Sequence, residues 1–200
     1  MHGRIRKSML AALGAVGFAG WLTGCGTYSL LRPADTLKRG ELEMTAGAAF
    51  NTLPEMTLVG QAAFGLADWL ELGAQYEMYS ALGQLRFGLL SSEEHGLALS
   101  IAVGGGYATL LEAIDVESRN VRSAGPLAGM TVGRRWDSFE LYLGNKTLML
   151  LPDAYFLNAV RAGVRYTIHK AIVLGLEAGV TFHHNFVVLG EGTAHVGFRI

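Results

Sequence analysis

From residue 41 to the end of the chain, apolar and polar positions alternate with a period of two. Strict alternation marks a strand with two different faces. The clearest stretch is 70–79, where Leu70, Leu72, Ala74, Tyr76 and Met78 share one face and Glu71, Gly73, Gln75, Glu77 and Tyr79 the other. The same pattern recurs over 42–50, 84–90, 97–106, 139–145, 157–166, 171–181 and 193–200. Weaker versions occupy 57–66 and 125–134, so the pattern predicts about ten strands.

The connectors differ in length. Residues 67–69, 91–95, 135–138 and 167–170 are short; 51–56, 107–124, 146–156 and 182–192 are longer, and 80–83 is a tight exception. An even strand count puts both ends of the strand region on the short-turn side. Short turns at one end and longer loops at the other are a feature of outer-membrane barrels. The longest loop, 107–124, carries Leu110, Leu111 and Ile114 at roughly helical spacing, which predicts a short helix over the barrel mouth. Pro126 lacks a backbone N–H and is expected at a rim or a bulge.

Alternation alone does not say which face points inward. The glycines do: Gly73, Gly88, Gly104, Gly144, Gly163, Gly175, Gly179 and Gly197 fall on the face that carries the charges. Glycine weakens strands, so a solvent-facing surface has no use for so many. A narrow lumen needs them, because they leave room for Glu and Arg. The expected fold is therefore all-β: an antiparallel transmembrane barrel with an apolar exterior, in preference to a tethered soluble β-domain. Trp69 and Trp136 stand in short turns, where an aromatic girdle would meet headgroups. The last strand, with Ala194, Val196, Phe198 and Ile200 on one face, is similar to the terminal strand read by the barrel-insertion machinery, except that it ends in Ile200 and not an aromatic residue. Over residues 41–200 the chain resembles the broad class of small outer-membrane β-barrel proteins.

The N-terminus has a different organisation. Residues 1–7 hold three fixed positive charges and residues 9–22 are apolar and small, the layout of a secretory signal peptide. The apolar run is shorter than the ~20 residues of a spanning helix. It ends in Leu22-Thr23-Gly24-Cys25, which resembles the bacterial lipobox. That resemblance implies cleavage before Cys25, diacylglycerol on its sulfur and acylation of the new amine. Gly26 follows, where many inner-membrane lipoproteins carry Asp. The expected organisation is a signal peptide over 1–24, a lipidated linker over 25–40 and a barrel over 41–200. Its location would be the outer membrane, with the C-terminus on the periplasmic side. Cys25 is the only cysteine, so no intramolecular disulfide forms.

Composition sharpens this picture. Half the residues are apolar and only 16% are charged, with 27 glycines. Soluble domains carry nearer a quarter charged residues. No basic patch suggests nucleic acid. The partners implied are outer-membrane lipid, the lipoprotein-sorting and barrel-assembly machinery, and an envelope protein of unspecified kind.

The predicted lumen face gathers Glu43, Glu71, Glu77, Glu140 and Glu177 against Arg86, Arg161, Arg165 and Arg199, with His195 added. Unpaired charges inside a narrow barrel are costly, so interleaved Glu–Arg pairs are expected. The first reading is a structural or interaction protein whose lumen is filled by these pairs. A narrow pore or solute-binding barrel is the alternative. A lipid-modifying enzyme is a second alternative, for which His195 and Glu177 would need to be strand neighbours; no serine stands in a comparable position, since Ser100 is alone on its strand and Ser80 sits in a turn. His183-His184-Asn185 reads as a surface loop, since adjacent strand residues face opposite ways. No cofactor, metal or catalytic set is expected.

Overall fold

The computed structural model describes residues 31–51, 56–77, 80–111, 120–152, 155–169, 171–183 and 188–200. The ten expected strands are present: β1 (Leu42–Asn51), β2 (Met56–Ala67), β3 (Leu70–Glu77), β4 (Ser80–Leu90), β5 (Ala98–Leu111), β6 (Asn120–Trp136), β7 (Phe139–Leu150), β8 (Tyr155–Ile168), β9 (Ile172–His183) and β10 (Val188–Arg199). Each pairs with its sequence neighbours in antiparallel fashion, and β1 pairs with β10 to close the barrel. Closure removes the unpaired edges that an open sheet would expose.

Alternation sets which side chains point inward. Along β3 the burial alternates strictly, with Glu71, Gly73, Gln75 and Glu77 buried and Leu72, Ala74 and Tyr76 exposed. The exterior is apolar: Leu58, Tyr76, Leu176 and Phe198 are more than half exposed, as are Met44 and Leu89. Two aromatic rows bound this band. Trp69, Trp136, Phe139, Tyr166 and Phe198 lie near the chain-terminal end of the strands, and Phe50, Tyr76, Tyr107, Phe156 and Phe182 near the other. Trp69 stacks on Phe87 at 6.3 Å, and the Arg134 guanidinium lies 5.1 Å from the Trp136 ring.

The strands are longer than the periodicity suggested, and this corrects the loop reading. β5 runs to Leu111 and β6 starts at Asn120, so most of the expected 107–124 loop is strand. The helix expected there would include Leu110 and Leu111, which belong to β5; Ile114 lies outside the described residues. β7 and β8 likewise absorb most of 146–156, and β10 begins at Val188. The difference between the two ends is correspondingly small. A short helix, α1 (Ser92–His95), sits instead on the terminal side, capped by the Ser91 side chain and by Gly96 at φ 69°.

Pro126 is neither at a rim nor in a bulge. It stays in register with Gly105 of β5, but the ladder between β6 and β7 is interrupted beside it. Pairing resumes at the isolated bridge Ala124–Leu151 in the same register. A residue without an N–H cannot donate to a ladder, and the gap is the result.

The largest departure is upstream of β1. Residues 31–40 were expected as part of a free linker. Instead Leu31, Arg32, Pro33, Ala34 and Leu37 are buried inside the barrel. Residues 26–30 of that expected linker, and Cys25 itself, lie outside the described residues.

Candidate functional site in the lumen

The N-terminal segment enters from the end where β1 begins and β10 finishes. Backbone and turn contacts fix it there: Thr36 Oγ1 donates to the Asp68 carbonyl at 2.7 Å, Arg39 N–H to Asp68 Oδ1 at 2.9 Å, and Gly40 N–H to the Gly65 carbonyl at 2.8 Å. Ser92 N–H, at the start of α1, donates to Asp35 Oδ1 at 3.0 Å. Glycines make the space. A Cβ on Gly88 would meet Thr36 Oγ1 at 2.9 Å, and one on Gly133 would meet the Ala34 Cβ at 3.1 Å.

Deeper in, Arg32 forms the hub. Its Nε and Nη2 each donate to a Glu71 oxygen at 3.0 Å, the bidentate geometry in which guanidinium and carboxylate match best. Its Nη1 pairs with Glu43 Oε1. Glu43 also binds Arg165 and takes two bonds from Arg199, at 3.0 and 2.8 Å. Arg86 completes the other side: Nη1 reaches Glu71 at 3.0 Å, while Nη2 donates to Ser100 Oγ at 2.7 Å and to the Pro33 carbonyl. Arg86 therefore holds the inserted backbone as well as a carboxylate.

A second cluster lies further along. Glu177 accepts the Tyr142 hydroxyl at 2.7 Å and the Leu31 N–H at 3.0 Å. Lys146 Nζ donates to Gln75 Oε1 at 3.0 Å, and Gln75 in turn donates to Glu77 at 2.5 Å. Arg161 pairs with Glu191, which also accepts the Thr181 hydroxyl at 3.0 Å. Beyond these, Leu82, Ala108, Leu127, Leu148, Leu150, Leu157 and Ala159 form a buried apolar cluster on the β4–β8 side.

All ten residues named from the sequence for the lumen charge network do face it. Glu43, Glu71, Glu77, Arg86, Glu140, Arg161, Arg165 and Glu177 are buried, and His195 and Arg199 are half-buried. They do not form one set. Glu140 Oε1 has no hydrogen-bond partner among the described residues, although Arg135 and Arg165 are its ladder neighbours. His195 Nδ1 is likewise without one, and its ring fills the space over Gly175. Glu177 has both oxygens occupied by Tyr142 and Leu31, and it stands opposite Thr193, not His195. Ser100 is buried beneath Arg86. The His–Glu–Ser arrangement is therefore not assembled among these residues. His183 ends β9, and His184 and Asn185 lie outside the described residues.

Three network members went unread in the sequence: Arg32, Lys146 and Glu191. Lys146 and Glu191 fall in predicted loops because the strand over 139–145 is ended too early and the strand over 193–200 is begun too late. In both, the period of two continues through the residue, and following it would have found them. Arg32 has no such signal, since residues 26–40 show no period.

Among the described residues, Glu43, Glu71, Glu77, Glu140, Glu177 and Glu191 face inward from the strands together with Arg86, Arg135, Lys146, Arg161, Arg165 and Arg199. Arg32 adds a further base from the inserted segment.

No family model matches the chain, and no curated protein matches it. Solved barrels do resemble it. The N-terminal β-barrel domain of Pseudomonas aeruginosa OprF is 11% identical, covers 82% of this chain and 100% of that one, and gives a TM-score of 0.44. A de novo designed transmembrane β-barrel is 13% identical over 82% of this chain and 98% of that one, with a TM-score of 0.37. Ail, the attachment invasion locus protein of Yersinia pestis, is 12% identical over 81% and 99%, with a TM-score of 0.33. These are likenesses of fold alone.

Proposed function

We propose that this chain is a bacterial outer-membrane barrel lipoprotein whose lumen is sealed by its own N-terminal segment, and that it serves a structural or interaction role rather than conducting solutes. The apolar band between two aromatic rows supports the membrane setting. The observation that carries the role is the burial of residues 31–34 within an Arg–Glu network. Eight-stranded barrels have interiors just wide enough to be filled by side chains, and sixteen-stranded ones leave a channel. Ten strands leave intermediate room, and here the inserted backbone fills it.

The lipid anchor on Cys25 belongs to the same proposal and rests on the lipobox and the basic–apolar leader. Leu31 is tied to Glu177 inside the lumen and lies six residue steps from Cys25, with five residues between them. Six extended residues span at most about 20 Å. The segment from Cys25 to β1 then acts as a short tether that also plugs, with the acyl chains held close to the barrel.

Planar-bilayer recording tests this reading. The full-length protein is expected to be electrically silent, and a variant lacking residues 27–37 is expected to show discrete steps. A steady, ion-selective conductance from the intact protein would favour the narrow-pore alternative.

A further inference from the structure

The outer face of the barrel departs from its apolar character in two places: at Arg134 on β6, which lies over the Trp136 ring of the aromatic row, and in a patch on β7 and β8. Between the aromatic rows, the described outward positions of β1–β5, β9 and β10 are apolar or glycine. On β7 and β8 they include Asn145, Thr147 and Asn158. The three form one patch. Thr147 stands directly opposite Asn158, and Asn145 is two residues along the same face and opposite Val160. Phe156 and Tyr166 mark the two ends of the band on β8, so Val160, and with it Asn145, lies well inside. Asn158 Oδ1 has no hydrogen-bond partner among the described residues.

Amides in hydrocarbon have no water to bond, and each unsatisfied group is costly. Asn side chains are too short to reach headgroups from that depth. Thr147 has no imidazole or carboxylate among its described outward neighbours, so the patch is not an activated hydroxyl. What remains is a polar protein partner at the same depth. Two copies of a barrel in one membrane share orientation. A two-fold axis along the membrane normal therefore brings a residue near it against its own counterpart. An amide is both donor and acceptor, as is a hydroxyl, so Asn and Thr can each pair with themselves. The adjoining face of β6 presents Met130 next to Asn145, Ala128 next to Thr147 and then Pro126, so close approach is open on the Ala128–Pro126 side.

We propose that the β7–β8 face is the interface of a homodimer, with Asn145, Thr147 and Asn158 hydrogen-bonding across its two-fold axis. This rests on the membrane-barrel reading and not on the sealed lumen.

The test uses full-length protein in the outer membrane and after extraction in mild detergent. With Cys25 left native, its sulfur taken by the proposed lipid, Thr147→Cys is expected to cross-link to its own copy in the membrane, while Leu72→Cys, on the far side of the barrel, is not. In the otherwise native protein, Asn145→Leu/Thr147→Val/Asn158→Leu is expected to lower the dimer fraction at least tenfold while the barrel keeps its heat-modifiable mobility on a gel. A wild-type protein that is folded and heat-modifiable yet monomeric, or a triple variant that dimerises as well as wild type, would overturn the interface. Cross-linking of Thr147→Cys only to a different protein would do the same. Loss of heat-modifiability in the wild type, with release from the membrane without detergent, would instead bring down the barrel reading beneath it.

Discussion

Arg32 touches two strands, bridging Glu71 of β3 and Glu43 of β1 from inside the lumen. Replacing it with Met leaves Glu71 with Arg86 alone and removes one of the three guanidinium groups around Glu43. Breaking a buried pair by removing one partner costs about 3–5 kcal/mol. Urea unfolding in detergent micelles is expected to show a loss of that order for Arg32→Met, and Arg32→Met/Glu71→Gln is expected to lose less than the two single changes added together. Additive losses would mean that the two side chains do not meet. Gly163 gives a second residue-level expectation. A Cβ there would strike the Tyr142 ring, whose hydroxyl binds Glu177. Gly163→Val is expected to destabilise the barrel by about 1–3 kcal/mol, the usual range for overpacking, and by less when combined with Tyr142→Phe than a simple sum would give. The two readings at this scale differ in how legible they were. Gly163 sits on the charged face by parity alone. The partner of Glu71 could not be read, because Arg32 lies in a stretch without period and pairs with a residue 39 positions away.

The strands themselves were legible because one face meets side chains and the other does not. Their ends were not, and β7 shows why. Inward positions run Glu140, Tyr142, Lys146, Leu148 and Leu150. The outward positions turn polar at Asn145 and Thr147 and, past Lys146, the inward ones turn apolar, so the alternation inverts and a reading that equates lumen with charge ends the strand there. The apolar upper lumen around Leu148 and Leu150 is the physical reason. The N-terminal segment was misread for a complementary cause. Pro33 and Gly40 disfavour regular structure and signal a loop, but loop conformation does not imply exposure. Its polar backbone is satisfied by Asp68, Glu71 and Arg86. At this scale the account expects the segment to resist protease in intact outer-membrane vesicles opened on both sides. Cleavage within 31–37 of folded, unboiled protein would show it to be free.

For the whole molecule, closure, apolar exterior and sealed lumen are separate properties, and the sequence revealed the first two. An even number of antiparallel strands places Leu42 and Ile200 side by side, bonded at 2.7 and 2.9 Å. The inserted segment leaves the barrel at that same end. Turn lengths, which had supported a periplasmic assignment for this end, now distinguish the ends only weakly. A Cys25→Ser protein is expected to assemble poorly rather than to accumulate as folded protein in the periplasm, because the exterior still needs lipid. Immunoblotting of fractionated cells decides between these outcomes.

The central claim is that the chain plugs its own barrel, and a single disulfide tests it. A Cβ on Gly88 would lie 3.8 Å from the Thr36 Cβ, the mean separation in disulfides. In a Cys25→Ser protein folded in detergent micelles, Thr36→Cys/Gly88→Cys should oxidise within the barrel and change its mobility on a non-reducing gel, with neither thiol available to a maleimide. Two free, maleimide-reactive thiols in a folded, heat-modifiable barrel would contradict it.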